Sequence, residues 1–256
     1  MTICHLLITR FNIQYEPADT IGIQPDWLEE RLCLFEQYCL PSVQKQTCQN
    51  FHWILMGDNR TPKTYQLKLE QFASLIPQLR IYWYPWQQDG YHAVYKSIAE
   101  KYAKDCDALI TSRLDSDDGL SADYIARVQE IAQSGIEGII SFPVGRQTFV
   151  RDNRSYTVRY VPNHFTSRIE HSCYETVMAY NHALLTDSQF HVINTEEPMW
   201  EEIVHGGNVS NDYVPKYRYL IRSGDDFCDL SCRWMRFQAR RLIRFLQTCL
   251  VRPDER

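Results

Sequence analysis

Four short apolar runs alternate with amphipathic segments over the first 112 residues, and this alternation constrains the fold more than any other feature. The apolar runs cover residues 3–9, 51–56, 79–84 and 108–111. Between them, apolar residues at helical spacing predict helices over 27–40, 41–46, 63–75 and 91–104. Alternating strands and helices predict an α/β fold, a mostly parallel sheet sandwiched by helices. Ligands of such sheets bind beyond the carboxyl ends of the strands.

The pattern changes in the second half of the chain. A helix over 122–133 and a strand over 138–142 precede an alternation of polar and apolar residues over 149–160. A turn at Asp152-Asn153 would make this alternating stretch an antiparallel hairpin. No repeat or long linker divides the sequence, so we expect one compound domain over 1–256.

Charge and cysteine content limit the partners and the compartment. The net charge of −5 provides no general attraction for nucleic acid, so we expect no nucleic-acid partner. Nine cysteines without a CxxC pair favour reduced thiols in the cytoplasm. The apolar run at the start is cut short by Arg10, and no stretch reaches the roughly 18 apolar residues of a membrane span. We therefore expect a cytoplasmic chain.

The main chemical motif is an acidic loop that follows the fourth predicted strand. Asp115, Asp117 and Asp118 lie within four residues, just before Gly119. Carboxylates this close repel one another unless a cation neutralises them, and Mg²⁺ or Mn²⁺ prefers such oxygen ligands. Asp115 and Asp117 are the predicted metal ligands, and the ion would also bind a substrate diphosphate.

A second interpretation of this loop is a solvated acidic turn. Asp118 or Ser121 could then act as the N-cap of the helix that begins near residue 122. A calcium-binding EF-hand is excluded, because Gly119 is at the fifth loop position and Ala126 occupies the twelfth, where a glutamate is required.

Several stretches, inside and outside the acidic loop, also match patterns of known protein families. The sequence CLPSVQKQT at 39–47, followed by FHWILMGD at 51–58, resembles glycosyltransferase family 2 and its relatives. More narrowly, Trp27-Leu28-Glu29-x-Arg31, the sequence RLDSDD at 113–118 and the sequence HGGN at 205–208 resemble a bacterial family called putative rhamnosyltransferases. This resemblance extends over nearly the whole chain.

The resemblance implies a GT-A-like fold, a nucleoside-diphosphate sugar donor, a divalent metal and, more weakly, rhamnose as the sugar. It implies that Asp58 accepts a hydrogen bond from the donor's base and that Thr9 and Arg10 lie beside the nucleotide. Arg113 would pair with a phosphate or hold the acidic loop. Residues 1–120 would form the nucleotide-sugar-binding half and residues 121–228 the acceptor half. Ordinary salt bridges are the alternative roles of Arg10 and Arg113.

The candidates for a catalytic base lie between residues 195 and 205. Glu201 and Glu202 are the predicted bases that would deprotonate an acceptor hydroxyl. Family 2 often uses an aspartate in an acidic pair, so this partial match leaves inversion or retention open. His205 is a predicted ligand of the metal or of the diphosphate, with an ordinary loop histidine as the alternative.

Residues 229–256 have the pattern of a basic amphipathic helix. Its polar side carries Arg233, Arg236, Arg240 and Arg244. Such a helix could lie on an anionic membrane and serve a lipid-linked acceptor, or it could pack on the domain.

The sequence therefore predicts a metal-dependent glycosyltransferase that acts on a glycan or lipid-linked acceptor. The alternatives are an inactive GT-A-like protein that binds nucleotide sugars or glycans, and a phosphoryl- or nucleotidyl-transfer enzyme. Dinucleotide-dependent, P-loop and serine-hydrolase motifs are absent from the sequence.

Overall fold

Eleven strands and five helices are present in the computed structural model, which describes residues 1–13, 18–85, 90–151, 154–179 and 185–206. The strands are β1 (Ile3–Arg10), β2 (His52–Asp58), β3 (Leu79–Tyr84), β4 (Ala108–Arg113), β5 (Gly119–Leu120), β6 (Gly138–Ser141), β7 (Val144–Phe149), β8 (Arg154–Arg159), β9 (Thr166–Glu170), β10 (Phe190–Val192) and β11 (Trp200–Val204). The helices are α1 (Pro25–Leu34), α2 (Leu40–Gln44), α3 (Lys63–Leu75), α4 (Gly90–Ala103) and α5 (Tyr124–Gln133).

Seven strands form the larger sheet in the order β10-β6-β9-β4-β1-β2-β3. The pairs β1–β2, β1–β4, β2–β3 and β6–β10 are parallel, and β9 is antiparallel to both of its neighbours. The parallel strands β1, β2 and β4 therefore bring their carboxyl ends together at one edge. This arrangement confirms the predicted α/β fold class.

Helices cover both faces of the larger sheet, as predicted. On one face, apolar residues of α1, α2, α3 and α5 form the larger core cluster, and on the other face α4 contributes to a smaller one. β1 supplies both clusters, because alternate side chains of a strand point to opposite faces. Leu7 belongs to the larger cluster, whereas Leu6 and Ile8 belong to the smaller one.

The first helical region is one chain segment with a widened turn, where the sequence predicted two separate helices. A π-helical turn at Phe35–Cys39 joins α1 to α2, and the N–H of Leu40 donates to the carbonyl of Phe35. Pro41 follows directly. It has no N–H to donate to the carbonyl four residues earlier, so a regular α-helix is interrupted here. The wider turn continues the helical path toward the acidic loop.

A second, four-stranded sheet in the order β5-β11-β7-β8 carries the second half of the site. β7 and β8 form the predicted antiparallel hairpin, and its predicted turn at 152–153 lies outside the described residues. β11 lies between β5, to which it is antiparallel, and β7, to which it is parallel. Because β5 follows the acidic loop, this pairing connects residues near 115 to residues near 203.

A tight aromatic contact fixes β11. Trp200 stacks on Phe165 with ring centroids 4.8 Å apart, and its indole N–H donates to the carbonyl oxygen of Phe142 at 2.7 Å. Gly145 lies directly against the indole, since a Cβ there would be 2.1 Å from the ring. Only glycine leaves room for the tryptophan at this place.

Two further predictions concern cysteines and membrane contact. The cysteines at positions 4, 33, 39, 48, 106 and 173 are free thiols in the described part of the chain. Within those residues no helix is long and apolar enough to cross a membrane. The basic helix predicted for 229–256 lies outside the described residues.

Candidate active site

The acidic loop joins β4 to β5 at the edge where parallel strands β1, β2 and β4 end. The N–H of Asp118 donates to the carbonyl oxygen of Asp115 at 3.2 Å, which closes a turn over the Asp-Ser-Asp-Asp sequence. β5 then pairs with β11, so both ends of the loop are held by sheet hydrogen bonds. Three carboxylates are thus fixed within one turn, and each has different charged neighbours.

Asp115 is the most exposed of the three carboxylates, with 28% of its side chain accessible. Arg113 donates to it through both Nε, at 3.1 Å, and Nη2, at 2.9 Å. Burial alone would raise the pKa of Asp115, but the charges of Arg113, His164 and Arg10 hold it well below its usual value. Asp115 is therefore ionised at neutral pH.

Asp117 lies against α1 and contacts two basic side chains. Its Oδ1 is 2.7 Å from Nη1 of Arg31, and its Oδ2 is 3.0 Å from Nε2 of His205. Nδ1 of the same histidine is 3.6 Å from Glu30. Burial opposes ionisation of Asp117, yet the hydrogen bond from His205 and the charge of Arg31 lower its pKa. Both carboxylate oxygens of Asp117 thus have basic partners.

Asp118 is buried and turns toward β9 and β11. Its Oδ1 accepts the backbone N–H of Ile203 at 2.8 Å, and its Oδ2 is 2.7 Å from Nε2 of His164. Burial raises the pKa of Asp118 to about 7, and the charges of Asp117 and Glu202 act in the same direction. Burial lowers the pKa of His164, but the hydrogen bond and charge of Asp118 outweigh it, so the pKa of His164 is raised.

Asp115, Asp118 and His164 form a group that could hold a divalent ion. One ligand atom from each lies within 4.8 Å of the others. Two carboxylate oxygens and one imidazole nitrogen are a donor set that suits Mn²⁺ or Mg²⁺. Asp117 and His205, which the sequence analysis named as ligands, contact each other at the neighbouring position.

The two glutamates of β11 point to opposite faces of the smaller sheet. Glu202 is buried, accepts a hydrogen bond from Gln147, and lies close enough to Asp118 for its charge to affect the pKa there. Glu201 instead accepts a hydrogen bond from Thr148 at 2.5 Å, and its charge, after burial, helps to raise the pKa of Tyr38. Only Glu202 is thus placed beside the acidic loop's buried side.

Residues at the ends of β1 and β2 have mostly internal partners. Thr9 is fully buried, and its hydroxyl accepts the indole N–H of Trp53 at 2.9 Å. Asp58 is also fully buried, and Arg60 donates to both of its oxygens, at 3.0 Å from Nε and 2.6 Å from Nη2. Arg10 is half-buried and contributes to the low pKa of Asp115. Their contacts with a nucleotide stay a prediction.

Two residues of this site had no assigned role in the sequence analysis. His164 lies in the connection from β8 to β9, and no pattern around it indicates a ligand. Arg31 appeared only as part of the family resemblance. The available sequence signal for Arg31 is its spacing of four residues from Trp27 on a predicted helix, and in the structure the guanidinium lies 4.8 Å from the indole centroid.

Solved structures that are similar to this chain include S. aureus TarS. TarS 1–349 has a TM-score of 0.46 and 9% identity over 79% of this chain and 60% of that one. TarS 1–349 in complex with UDP-GlcNAc has a TM-score of 0.47 and 12% identity, over 84% of this chain and 62% of that one. 4-Diphosphocytidyl-2C-methyl-D-erythritol synthase has a TM-score of 0.31 and 15% identity, over 55% and 60% of the two chains. The chain thus spans about three fifths of each of these proteins.

None of the curated proteins compared with the sequence matches it. A protein family described as "Putative rhamnosyl transferase" does match, over residues 8–217. The matched region includes the end of β1, the acidic loop, His164, and the two glutamates of β11. The chain belongs to this family of putative rhamnosyl transferases, which is a glycosyltransferase family.

Proposed function

We propose that the protein is a metal-dependent glycosyltransferase that moves a sugar, rhamnose by the family description, from a nucleoside-diphosphate donor to a glycan or lipid-linked acceptor. The observation that carries this proposal is the Asp115, Asp118 and His164 group at the carboxyl end of β4, in a chain of a glycosyltransferase family. Sites of this type lie where ligands bind in open α/β sheets.

Asp115, Asp118 and His164 are the proposed ligands of Mn²⁺ or Mg²⁺. When bound, the ion supplies positive charge that neutralises the leaving diphosphate. The donor set fits, because Asp115 is ionised and partly exposed, and the N–H of Ile203 orients Asp118. Asp117 with His205 is the second arrangement. It shares Asp115, but binding there would compete with Arg31 for the carboxylate.

Glu202 is the proposed base that accepts the proton of the acceptor hydroxyl. Its support is its place beside Asp118 and His164, whereas Glu201 faces Tyr38 on the other side of β11. Gln147 orients the carboxylate of Glu202 by donating a hydrogen bond. A general base must lie within hydrogen-bond reach of its proton, so the acceptor hydroxyl would bind on this side of the smaller sheet.

Binding of the donor nucleotide is proposed for the ends of β1 and β2. Asp58 would accept a hydrogen bond from the base after exchange with Arg60, while Thr9 and Arg10 would flank the nucleotide. Residues 1–120 would form the donor half, and residues 121–228 the acceptor half. Arg113 would continue to orient Asp115 through its two hydrogen bonds.

The C-terminal segment carries a separate proposal. We propose that the protein acts in the cytoplasm and that basic residues 229–256 contact an anionic membrane carrying the acceptor. Cosedimentation with phosphatidylglycerol vesicles would compare the full chain with residues 1–228. Equal binding of both would contradict this membrane contact.

The first experiment is a thermal-shift panel with UDP, dTDP, GDP and CMP, each with and without Mn²⁺. We expect one nucleotide to raise the melting temperature only when Mn²⁺ is present, because the ion links the phosphates to the carboxylates. Asp118→Asn/His164→Gln should abolish this shift, and His205→Gln tests the second ligand arrangement, since Asp115 belongs to both arrangements. A wild-type protein that responds to none of the nucleotides would contradict the transferase.

A further inference from the structure

Arg31 lies beside the acidic loop, and among the described residues only Nη1 of its guanidinium has a polar partner. Its side chain is 13% exposed. Nη1 is 2.7 Å from Oδ1 of Asp117 and 3.5 Å from Oγ of Ser116. In the parts of the chain that the structure describes, Nε and Nη2 of Arg31 have no partner. Among the described residues, three N–H donors of this cation therefore face solvent and not a protein acceptor.

Two other arginines at the same edge of the sheet differ in this respect. Arg113 binds Asp115 through Nε and Nη2, and Arg60 binds Asp58 through the same pair of nitrogens. This Nε–Nη2 edge is the planar fork that matches two oxygens of a carboxylate or phosphate. In Arg31 the corresponding edge has no partner in the described part of the chain and is open to solvent, from which an anion can reach it.

Neighbouring side chains hold Arg31 in place before any ligand binds. The guanidinium lies over the ring of Trp27, 4.8 Å from its centroid. Asp117 binds one end of the guanidinium and is itself held by His205 through its second oxygen. A side chain fixed in this way loses little conformational freedom when it binds an anion.

We propose that Arg31 binds the diphosphate of the sugar donor through Nε and Nη2, and that Asp117 is the residue that positions it. This inference rests on the proposed function, because the anion is the diphosphate of that donor. A metal held at Asp115, Asp118 and His164 would then supply positive charge to the same diphosphate that Arg31 binds. Asp117 acts through Arg31 and does not bind the metal.

Isothermal titration with inorganic pyrophosphate in the presence of Mn²⁺ tests the contact. We expect Arg31→Gln to weaken pyrophosphate binding at least about 10-fold, which corresponds to the loss of one charge-assisted pair. Arg31→Lys keeps the charge without the fork and should give an intermediate loss. Arg127→Gln is the matched control, since Arg127 forms an exposed pair with Glu130, and its pyrophosphate affinity should equal that of the wild type.

Electron paramagnetic resonance of free Mn²⁺ provides the second readout. Arg31→Gln and Asp117→Asn should each bind Mn²⁺ as the wild type does. Asp117→Asn should weaken pyrophosphate binding, but the double variant Arg31→Gln/Asp117→Asn should bind pyrophosphate only slightly more weakly than Arg31→Gln. Circular dichroism checks the folding of each variant. If Arg31→Gln does not fold, the pyrophosphate affinity of Arg31→Lys is compared with that of the wild type instead.

The outcomes separate the two proposals. Wild-type pyrophosphate affinity in the folded Arg31 variants would overturn this inference and leave the nucleotide panel, and the transferase, intact. Loss of Mn²⁺ binding in Arg31→Gln would also overturn it, because Arg31 would then act through the acidic loop. A wild-type protein that binds neither pyrophosphate nor any nucleotide would overturn both proposals.

Discussion

The two sides of the acidic loop differ in the sign of the charge that surrounds each carboxylate. On the helix side, defined by Arg31, Asp117 and His205, two basic side chains hold one aspartate. On the strand side, defined by Asp118, His164 and Glu202, two acids and one histidine lie together. Adjacent residues 117 and 118 thus enter opposite electrostatic environments.

This difference shows that adjacent carboxylates of one acidic motif can have different charged neighbours, which spacing alone does not predict. On the helix side the charge of Arg31 compensates that of Asp117, whereas the strand side brings the carboxyl groups of Asp118 and Glu202 together and suits a cation. The helix side, the strand side and Asp115 between them would together fit an ion and a diphosphate. The four predictions below test the comparison.

The largest expected effect distinguishes the two adjacent aspartates. Asp118→Asn should lower turnover at least about 100-fold and weaken Mn²⁺ binding, because a bound ion contributes several kcal/mol to catalysis. Asp117→Asn should keep its Mn²⁺ affinity and lower kcat/KM about 10-fold, chiefly through KM for the donor. Steady-state kinetics and Mn²⁺ titration measure both variants. A larger loss of turnover and of Mn²⁺ affinity in Asp117→Asn than in Asp118→Asn would contradict the comparison.

The next effect concerns the two faces of β11. Glu202→Gln should lower kcat by about 100-fold or more, within the range for loss of a general base. Glu201→Gln serves as the matched control and should stay within a few-fold of the wild type, because it faces Tyr38 and Thr148. Assays at saturating donor concentration measure both. A similar decrease of kcat in Glu201→Gln and Glu202→Gln would contradict the assignment of the base to only one face of β11.

A pH effect tests the buried support of the strand side. Nε2 of His5 is 2.8 Å from Ser112, whose hydroxyl lies 2.6 Å from that of Ser167 in β9. Burial lowers the pKa of His5 to about 3. The unfolded chain therefore takes up a proton below about pH 6.5 that the folded protein does not, so this stabilisation is present above that pH and lost as pH falls toward 3.

From this histidine we expect a free energy of unfolding about 2 kcal/mol smaller at pH 5 than at pH 7. Urea unfolding at the two pH values should show that the free energy of unfolding depends less on pH in His5→Gln than in the wild type. His171→Gln changes an exposed histidine and is the control. An unchanged pH dependence in His5→Gln would contradict the role of this residue.

The smallest effect concerns the position of His164. The hydroxyl of Tyr124 donates to the carbonyl oxygen of Phe165 at 2.8 Å, directly after His164 in the chain. Tyr124→Phe should lower the free energy of unfolding by about 1 kcal/mol and weaken Mn²⁺ binding a few-fold. Tyr65→Phe, whose hydroxyl lies 3.2 Å from Pro25 near the helix side, should leave Mn²⁺ affinity unchanged. Equal Mn²⁺ affinities in both variants would exclude this role.

The regular elements of the first half could be predicted because their apolar spacing is local information. The strand over 79–84 and the helix over 63–75 occur at the predicted residues. The widened turn before Pro41 was missed, although the missing N–H of the proline is a local signal.

The site depends instead on contacts between distant parts of the chain. His164 meets Asp118 across 46 residues, and only the position of β9 between β4 and β6 brings them together. Glu201 and Glu202 point in opposite directions because successive side chains of a strand alternate, but the register of β11 against β7 decides which of them faces the acidic loop, and a one-residue shift would exchange them. Neither register can be read from the sequence of one strand alone.

The contact between Gly145 and Trp200 has a consequence for how this family can vary. Since any side chain at position 145 would overlap the indole, a relative that replaces the glycine must also replace the tryptophan with a smaller residue. The two positions are 55 residues apart but should behave as one inherited character.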